Sequence, residues 1–316
     1  MLNGYYGTYY SPESLGVYRF SLDTQSGVPS APVLVCPARD AKCVAWAGGA
    51  LVAPVQEEEG AGLVRIVPGE APRQRLFEKG TGCFLVEDEE YLYSANYHAG
   101  TVTVCEKESL KPVYRIEAGE KAGCHQVMLH QNLLLVPCLE RDEVRLYDKT
   151  RGFAQAGALC FDKGTGPRHG VFNAAHTLLY LVSERSNELY VFAADGARFT
   201  LGQRLGVIGA GASAAIRLSP DERFLYVSTR DIPTRAQDVI TVFSLAGDVP
   251  VRIQQADSGG KHPRDFDLTA DGRWLVCLNR DSGGLAVFPV DTQTGLLGKA
   301  SGRTAAPKAS GILLEK

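Results

Sequence analysis

Short apolar runs alternate with polar turns along almost the whole chain, and the alternation repeats. The clearest copies are CFLVEDEEYLYSANYHAGTVTVCEKE (83–108), CHQVMLHQNLLLVPCLERDEVRLYDK (124–149) and PRHGVFNAAHTLLYLVSERSNELYVFAAD (167–195). Two more cover 214–245 and 263–291. Each reads as strand, polar turn, strand, polar loop, strand and a weaker fourth stretch. Tyr93, Leu135, Tyr180, Tyr226 and Val276 are equivalent second-strand anchors, at spacings of 42, 45, 46 and 50 residues. Weaker copies have anchors near Tyr6 and Leu51.

Several strands per repeat, at a period in the forties, is the pattern of a β-propeller. Two-helix solenoids share the period, but these runs are short, β-branched and bounded by Gly, Asn and Asp. The prediction is an all-β fold, a seven-bladed β-propeller occupying 1–316 as a single domain. The tail Ala309–Leu314 is a lone strand, expected to pair with the N-terminal segment and close the ring, because an open propeller would expose sheet edges.

Composition adds exclusions. Lys and Arg number 33 against 36 Asp and Glu, a formal charge of −3 that leaves no electrostatic footprint for nucleic acid. No run of 18 apolar residues suggests a membrane-spanning helix, and no secretion signal is visible, so a cytoplasmic location is expected. The eight cysteines show no CxxC or zinc spacing and read as buried reduced thiols, with no metal role expected of them.

Blade geometry narrows the search for chemistry. The innermost strand runs antiparallel to the second, so the start of one lies beside the end of the other on a single rim of the central channel. At the starts stand Cys124–His125, Pro167–Arg168–His169, Ser213–Ala214 and Pro263–Arg264–Asp265. At the ends stand Asn96–Tyr97–His98, Glu140–Arg141, Glu184–Arg185, Arg230–Asp231 and Asn279–Arg280. One rim thus collects His, Arg and Glu, a set suited to an anionic, oxygen-rich small molecule. Guanidinium groups grip carboxylate or phosphate, and a Glu or His among them moves a proton. His98 and His262 lie near the rim, whereas His130 and His176 fall in inter-strand turns and are expected to be exposed. Gly209–Ser213 (GAGAS) lacks the strand–loop–helix context of a phosphate loop, and Glu57–Gly60 reads as a solvated loop.

At these same residues the chain resembles the seven-bladed 6-phosphogluconolactonase family, the lactonase propellers. The matching stretches are GYYGTYYSPESLGVYRFSLDTQSG, ANYHAGTVTV, LVPCLERDEVRLY, GTGPRHGVF with LLYLVSERSNELYVF, LSPDERFLYVSTRD and HPRDFDLTADGRWLVCLNRDSGGLAVFPVDTQTGLL. The resemblance implies hydrolysis of 6-phosphogluconolactone to 6-phosphogluconate without metal or organic cofactor, a pentose phosphate pathway step. It also implies a catalytic group of His125, Arg168, Glu184 and Arg230, with His169 and Arg264 nearby. Asn96 and Tyr97 are further substrate-binding candidates, Tyr97 as a platform for a sugar ring. The chain departs from the family in carrying Arg217 for an innermost-strand His, Thr229 for the Asn before the strand-end Arg, and a longer polar loop at Asp231–Asp238.

Opening a six-membered ester needs a base to activate water and stabilisation of the charge growing on the carbonyl oxygen. Glu184 or His125 is the expected base, Arg168 the group that polarises the carbonyl, and Arg230 and Arg264 the holders of phosphate. Alanine at Arg168 is expected to remove activity without changing the melting temperature. No GxSxG elbow suggests an acyl-enzyme. Two alternatives stay open: a non-catalytic propeller that binds a protein partner, and a cycloisomerase acting on a carboxymuconate-type lactone. The expected partner is a small anionic sugar lactone, with no nucleic acid or membrane, and the chain as a monomer or weak homodimer.

Overall fold

The structure is a computed structural model that describes residues 1–207, 211–230, 238–282 and 284–315. Residues 231–237 of the predicted polar loop, and Gly209 and Ala210 of GAGAS, lie outside the described residues. Seven antiparallel sheets follow one another along the chain, six of them built from four consecutive strands, and every second-strand anchor falls in the strand expected of it. Blades 2 to 7 begin at Ala45, Phe84, Met128, Pro167, Ala212 and Pro263. Blade 1 takes its innermost strand from the far end of the sequence. Ala309–Leu314 pairs antiparallel with Leu2–Thr8, from Thr8 opposite Ala309 to Gly4 opposite Leu314, and the ring is closed.

Burial explains the gradient in apolar content across each blade. The second strands Leu133–Cys138 and Trp274–Asn279 are buried at every position, because both faces of the sheet meet a neighbouring blade. They therefore read as continuous apolar runs rather than alternating ones. The fourth strand Arg198–Gly206 lies on the outside and is exposed along most of its length. The core is the set of layers between blades: Tyr93, Val102 and Val104 of blade 3 pack on Leu134, Val136 and Tyr147 of blade 4. At the closure, Trp274, Val276 and Leu285 of blade 7 pack on Tyr6, Phe20 and Ile312 of blade 1.

Two expectations are corrected. His130 ends the strand Met128–His130 and is buried, stacked on Phe172 at 4.8 Å and bonded to the Gly196 carbonyl at 3.0 Å; the turn begins at Gln131, whose φ is 51°. His176 is exposed, as expected. Six of the cysteines are buried free thiols, but Cys160 is exposed on an outermost strand and Cys83 is half-buried at the channel. No helix of the described residues is long and apolar enough to cross a membrane.

Candidate active site

The rim residues converge because each stands where an innermost strand starts or a second strand ends. His125 lies three residues before Met128–His130, held by its backbone N–H to the Pro137 carbonyl at 3.0 Å. Arg168 and His169 open the strand Pro167–Phe172, and Glu184 follows the strand Leu178–Ser183. Arg230 ends Phe224–Arg230. Arg264 sits second in Pro263–Leu268.

Glu184 is the hub. Its Oε2 accepts from Arg168 Nε at 2.7 Å and from Arg230 Nη2 at 2.8 Å. Arg168 is 1% exposed and also donates to the Ala214 carbonyl, so its guanidinium is a buried, shared element of blades 5 and 6. Arg230 is buried as well, donating to the Ala212 and Ser213 carbonyls at 3.3 Å and approaching His262 Nε2 at 3.4 Å. Burial opposes ionisation of Glu184, but Arg168 and Arg230 outweigh it and hold the carboxyl well below its usual range. The carboxylate is ionised at neutral pH.

This burial corrects the expectation for Arg168. Removing a guanidinium that neutralises a buried carboxylate leaves a charge uncompensated, which costs about 3–5 kcal/mol. An alanine there is expected to lower stability.

His125 and His169 meet in the channel, Nδ1 of the first 3.1 Å from Nε2 of the second. Burial, then the charges of Arg168 and Arg264, push His125 well below its ordinary value; burial and Arg168 do the same to His169. Both rings are neutral, so one proton lies between these two nitrogens. His169 Nδ1 is buried without a partner. A bare ring nitrogen tolerates that position better than an orphaned N–H, since unpaired buried donors are the rarer defect. His169 therefore carries its proton on Nε2 and donates to His125 Nδ1. On this assignment His125 accepts on Nδ1 and carries its own proton on Nε2.

That cavity, about 210 Å³, is lined by Tyr9, Lys42, Thr81, Cys83, Tyr97, His98, His125, Glu184 and Arg264. It shares Tyr9, Lys42, Cys83, His125 and Arg264 with a deeper chamber of about 550 Å³. The deeper chamber adds Arg168, His169 and the Arg217–Asp265 ion pair at 3.1 Å to apolar walls that include Trp46, Phe84 and Ile312. The Arg217 departure thus lies in the channel itself. Among the described residues no three His, Cys, Asp or Glu side chains converge as a metal-ligand set.

The predicted residues do not all arrive together. His125, Glu184, Tyr97 and Arg264 line the smaller cavity; Arg168 and His169 line the chamber beneath it. Arg230 reaches the site only through Glu184. Asn96 is turned away: its amide donates to Glu78 and to the Gly80 carbonyl, and its oxygen accepts from the Ala99 N–H. Tyr97 keeps its ring edge-on to His125 at 5.5 Å, while its hydroxyl donates to Glu140. Tyr9 and Lys42 were missed, although the positional rule covers them. Tyr9 directly follows the second strand of blade 1, as Glu184 does in blade 5, and Lys42 precedes Ala45–Ala47 by three residues, as His125 precedes its strand.

Comparison with known proteins bears on the family and the fold. The chain matches the family described as "Lactonase, 7-bladed beta-propeller" over residues 3–314. It is 27% identical to the 6-phosphogluconolactonase of Bacillus subtilis across 93% of each chain, and 31% identical to that of Sodalis glossinidius across 66% of each. In fold it resembles a Lactobacillus plantarum protein (TM-score 0.89, 24% identity, all of both chains) and the periplasmic gluconolactonase of Pseudomonas aeruginosa (TM-score 0.86, 23% identity, 100% and 99%). A fold with seven blades, a ring closed by its last strand and a match spanning both together establish that the chain belongs to the seven-bladed β-propeller lactonase family.

Proposed function

We propose that the protein hydrolyses a sugar-acid lactone, 6-phosphogluconolactone to 6-phosphogluconate, as a step of the pentose phosphate pathway. The observation that carries this reading is Glu184: a carboxylate fixed through one oxygen by two arginines, facing a cavity of substrate size. Its Oε1 is left to orient a water against the lactone carbonyl.

In this scheme Glu184 takes a proton from the water as the water oxygen bonds to the carbonyl carbon. The oxygen that gains charge is met by the His125 Nε2–H and by Arg168. When the tetrahedral intermediate collapses, the bond to the ring oxygen breaks and the proton held by Glu184 passes to that oxygen, giving a free acid and a hydroxyl. The tautomer assigned to His125 divides the roles: Glu184 is the base and His125 the donor. A carboxylate held this strongly ionised is a weak base. Six-membered lactones open readily in water, so a modest base in a positive field suffices.

The test is the hydrolysis rate of freshly made 6-phosphogluconolactone in EDTA, against glucono-δ-lactone and a blank without protein. Acceleration of the phosphorylated lactone is expected. No acceleration of either lactone over the blank would overturn the reading, and turnover of a carboxymuconate-type lactone instead would move the chemistry to cycloisomerisation.

A further inference from the structure

We infer that Lys42, Arg264 and the Tyr9 hydroxyl form an anion subsite, on the side of the cavity built by blades 1, 2 and 7, that takes a phosphate monoester. The cations elsewhere around the channel are committed. Arg168 and Arg230 hold Glu184, Arg280 pairs with Asp281 at 3.0 Å, Arg217 with Asp265 and Arg185 with Glu140. Among the described residues no carboxylate lies within ion-pairing distance of Lys42 or Arg264, and both line the cavity half-buried. Partly buried charges without a partner are costly, and a ligand anion is the group that would complete them.

Tyr9 ties the two together. Arg264 Nη2 lies 3.3 Å from its hydroxyl, and Lys42 Nζ stands 5.7 Å from its ring centre. Arg280 approaches the same ring at 5.4 Å. Burial alone would raise the Tyr9 pKa, yet Arg264, Lys42 and Arg280 together lower it, a measure of the positive field at this point.

Lys42 is also held in place. Its loop lies directly on the ring closure: a Cβ on Gly7 would sit 1.7 Å from the Ala41 carbonyl oxygen, and one on Gly311 would sit 2.7 Å from Cys43 Cα. Only glycine at both positions lets the backbone come this close. Two fixed positive charges and a hydroxyl donor match a phosphate monoester, with about −1.5 to −2 charge and three acceptor oxygens, better than a single carboxylate. Arg230, sealed behind Glu184, is not part of this subsite.

That the phosphate belongs to a sugar acid rests on the lactonase reading; the subsite itself does not. The test is calorimetric binding of 6-phosphogluconate and of gluconate, with inorganic phosphate as competitor. A preference of about tenfold or more for the phosphorylated acid is expected, one decade of affinity for the added charge contacts. Lys42→Met should reduce that preference to about threefold or less, and Lys42→Arg, which keeps the charge, should retain it. Equal binding of the two acids, or a preference undisturbed in Lys42→Met, would overturn the subsite. Lactone hydrolysis without phosphate preference would leave the enzyme and remove the subsite. Phosphate preference without hydrolysis of any lactone would do the reverse.

Discussion

Arg168 and Glu184 meet at 2.7 Å across the innermost hairpin of blade 5, sixteen residues apart in the chain, and the same carboxylate oxygen reaches Arg230 of the next blade. The charge proposed for catalysis and the cohesion between blades 5 and 6 therefore rest on one carboxylate. Glu184→Gln keeps the shape and removes the charge, leaving two buried guanidinium groups facing a neutral amide. The expected result is a loss of about 10²-fold or more in kcat together with about 3–5 kcal/mol of stability. Initial rates and urea unfolding measure the two, and a variant that keeps either near the wild-type value would separate roles that are joined here.

The proton assignment in the histidine pair is open to direct observation. Long-range ¹H–¹⁵N spectra should find both His125 and His169 protonated on Nε2 at neutral pH. Gln places an amide nitrogen near the position of imidazole Nε2, so His125→Gln should retain much more activity than His125→Ala, whose loss is expected at about 10²-fold, the scale of one oxyanion donor. An Nδ1–H tautomer at His125 would return it to the role of base.

Stability should depend on pH in a defined direction. His125 and His169 are held well below 6.5, and His262 is pushed down to about 3 by burial and by Arg230 and Arg280. Below pH 6.5 the unfolded chain binds protons that these folded rings refuse, so stability falls as pH drops, by up to about 1.4 kcal/mol per pH unit for each ring. Glu184, also depressed, adds to the loss below its unfolded value of 4.5. Urea midpoints should be level from pH 7 to 8 and decline steadily from 6.5 to 5. A level profile down to pH 5 would contradict the buried neutral state of the histidines.

Gly7→Ala tests the packing under Lys42. The added carbon would collide with the Ala41 carbonyl oxygen, so the loop must lift from the closure. A destabilisation of about 1–3 kcal/mol is expected, as for overpacked cores, together with a weaker preference for the phosphorylated ligand. Thermal unfolding with and without 6-phosphogluconate checks both. An unchanged melting temperature would mean that the contact is soft.

The repeat was legible because apolar second strands are a physical necessity of blades buried on both faces, and Tyr6, Leu51, Tyr93, Leu135, Tyr180, Tyr226 and Val276 all stand in them. Arg168, Glu184, His125 and Arg264 were legible for the same reason, as strand-end positions of well-formed copies. Tyr9 and Lys42 were not, since blade 1 draws on both ends of the chain and blade 2 is short and weakly patterned. The rule that finds Glu184 covers both positions, but the weak pattern of these two copies does not mark their strand ends. Asn96 illustrates the opposite limit. Its place on the rim follows from the repeat, but its side-chain direction is set by Glu78 and Gly80, partners in another blade and an adjoining loop that no local pattern announces.

The bond between Tyr9 and Arg264 joins residues 255 apart in the chain, across the seam where first strand meets last. Synthesis makes Tyr9 255 residues before Arg264. Leu2–Thr8 waits with an unpaired edge until Ala309–Leu314 is released to cover it. The proposed anion subsite thus forms later than the Glu184 hub, and a chain stopped before Arg264 would hold that hub without the subsite.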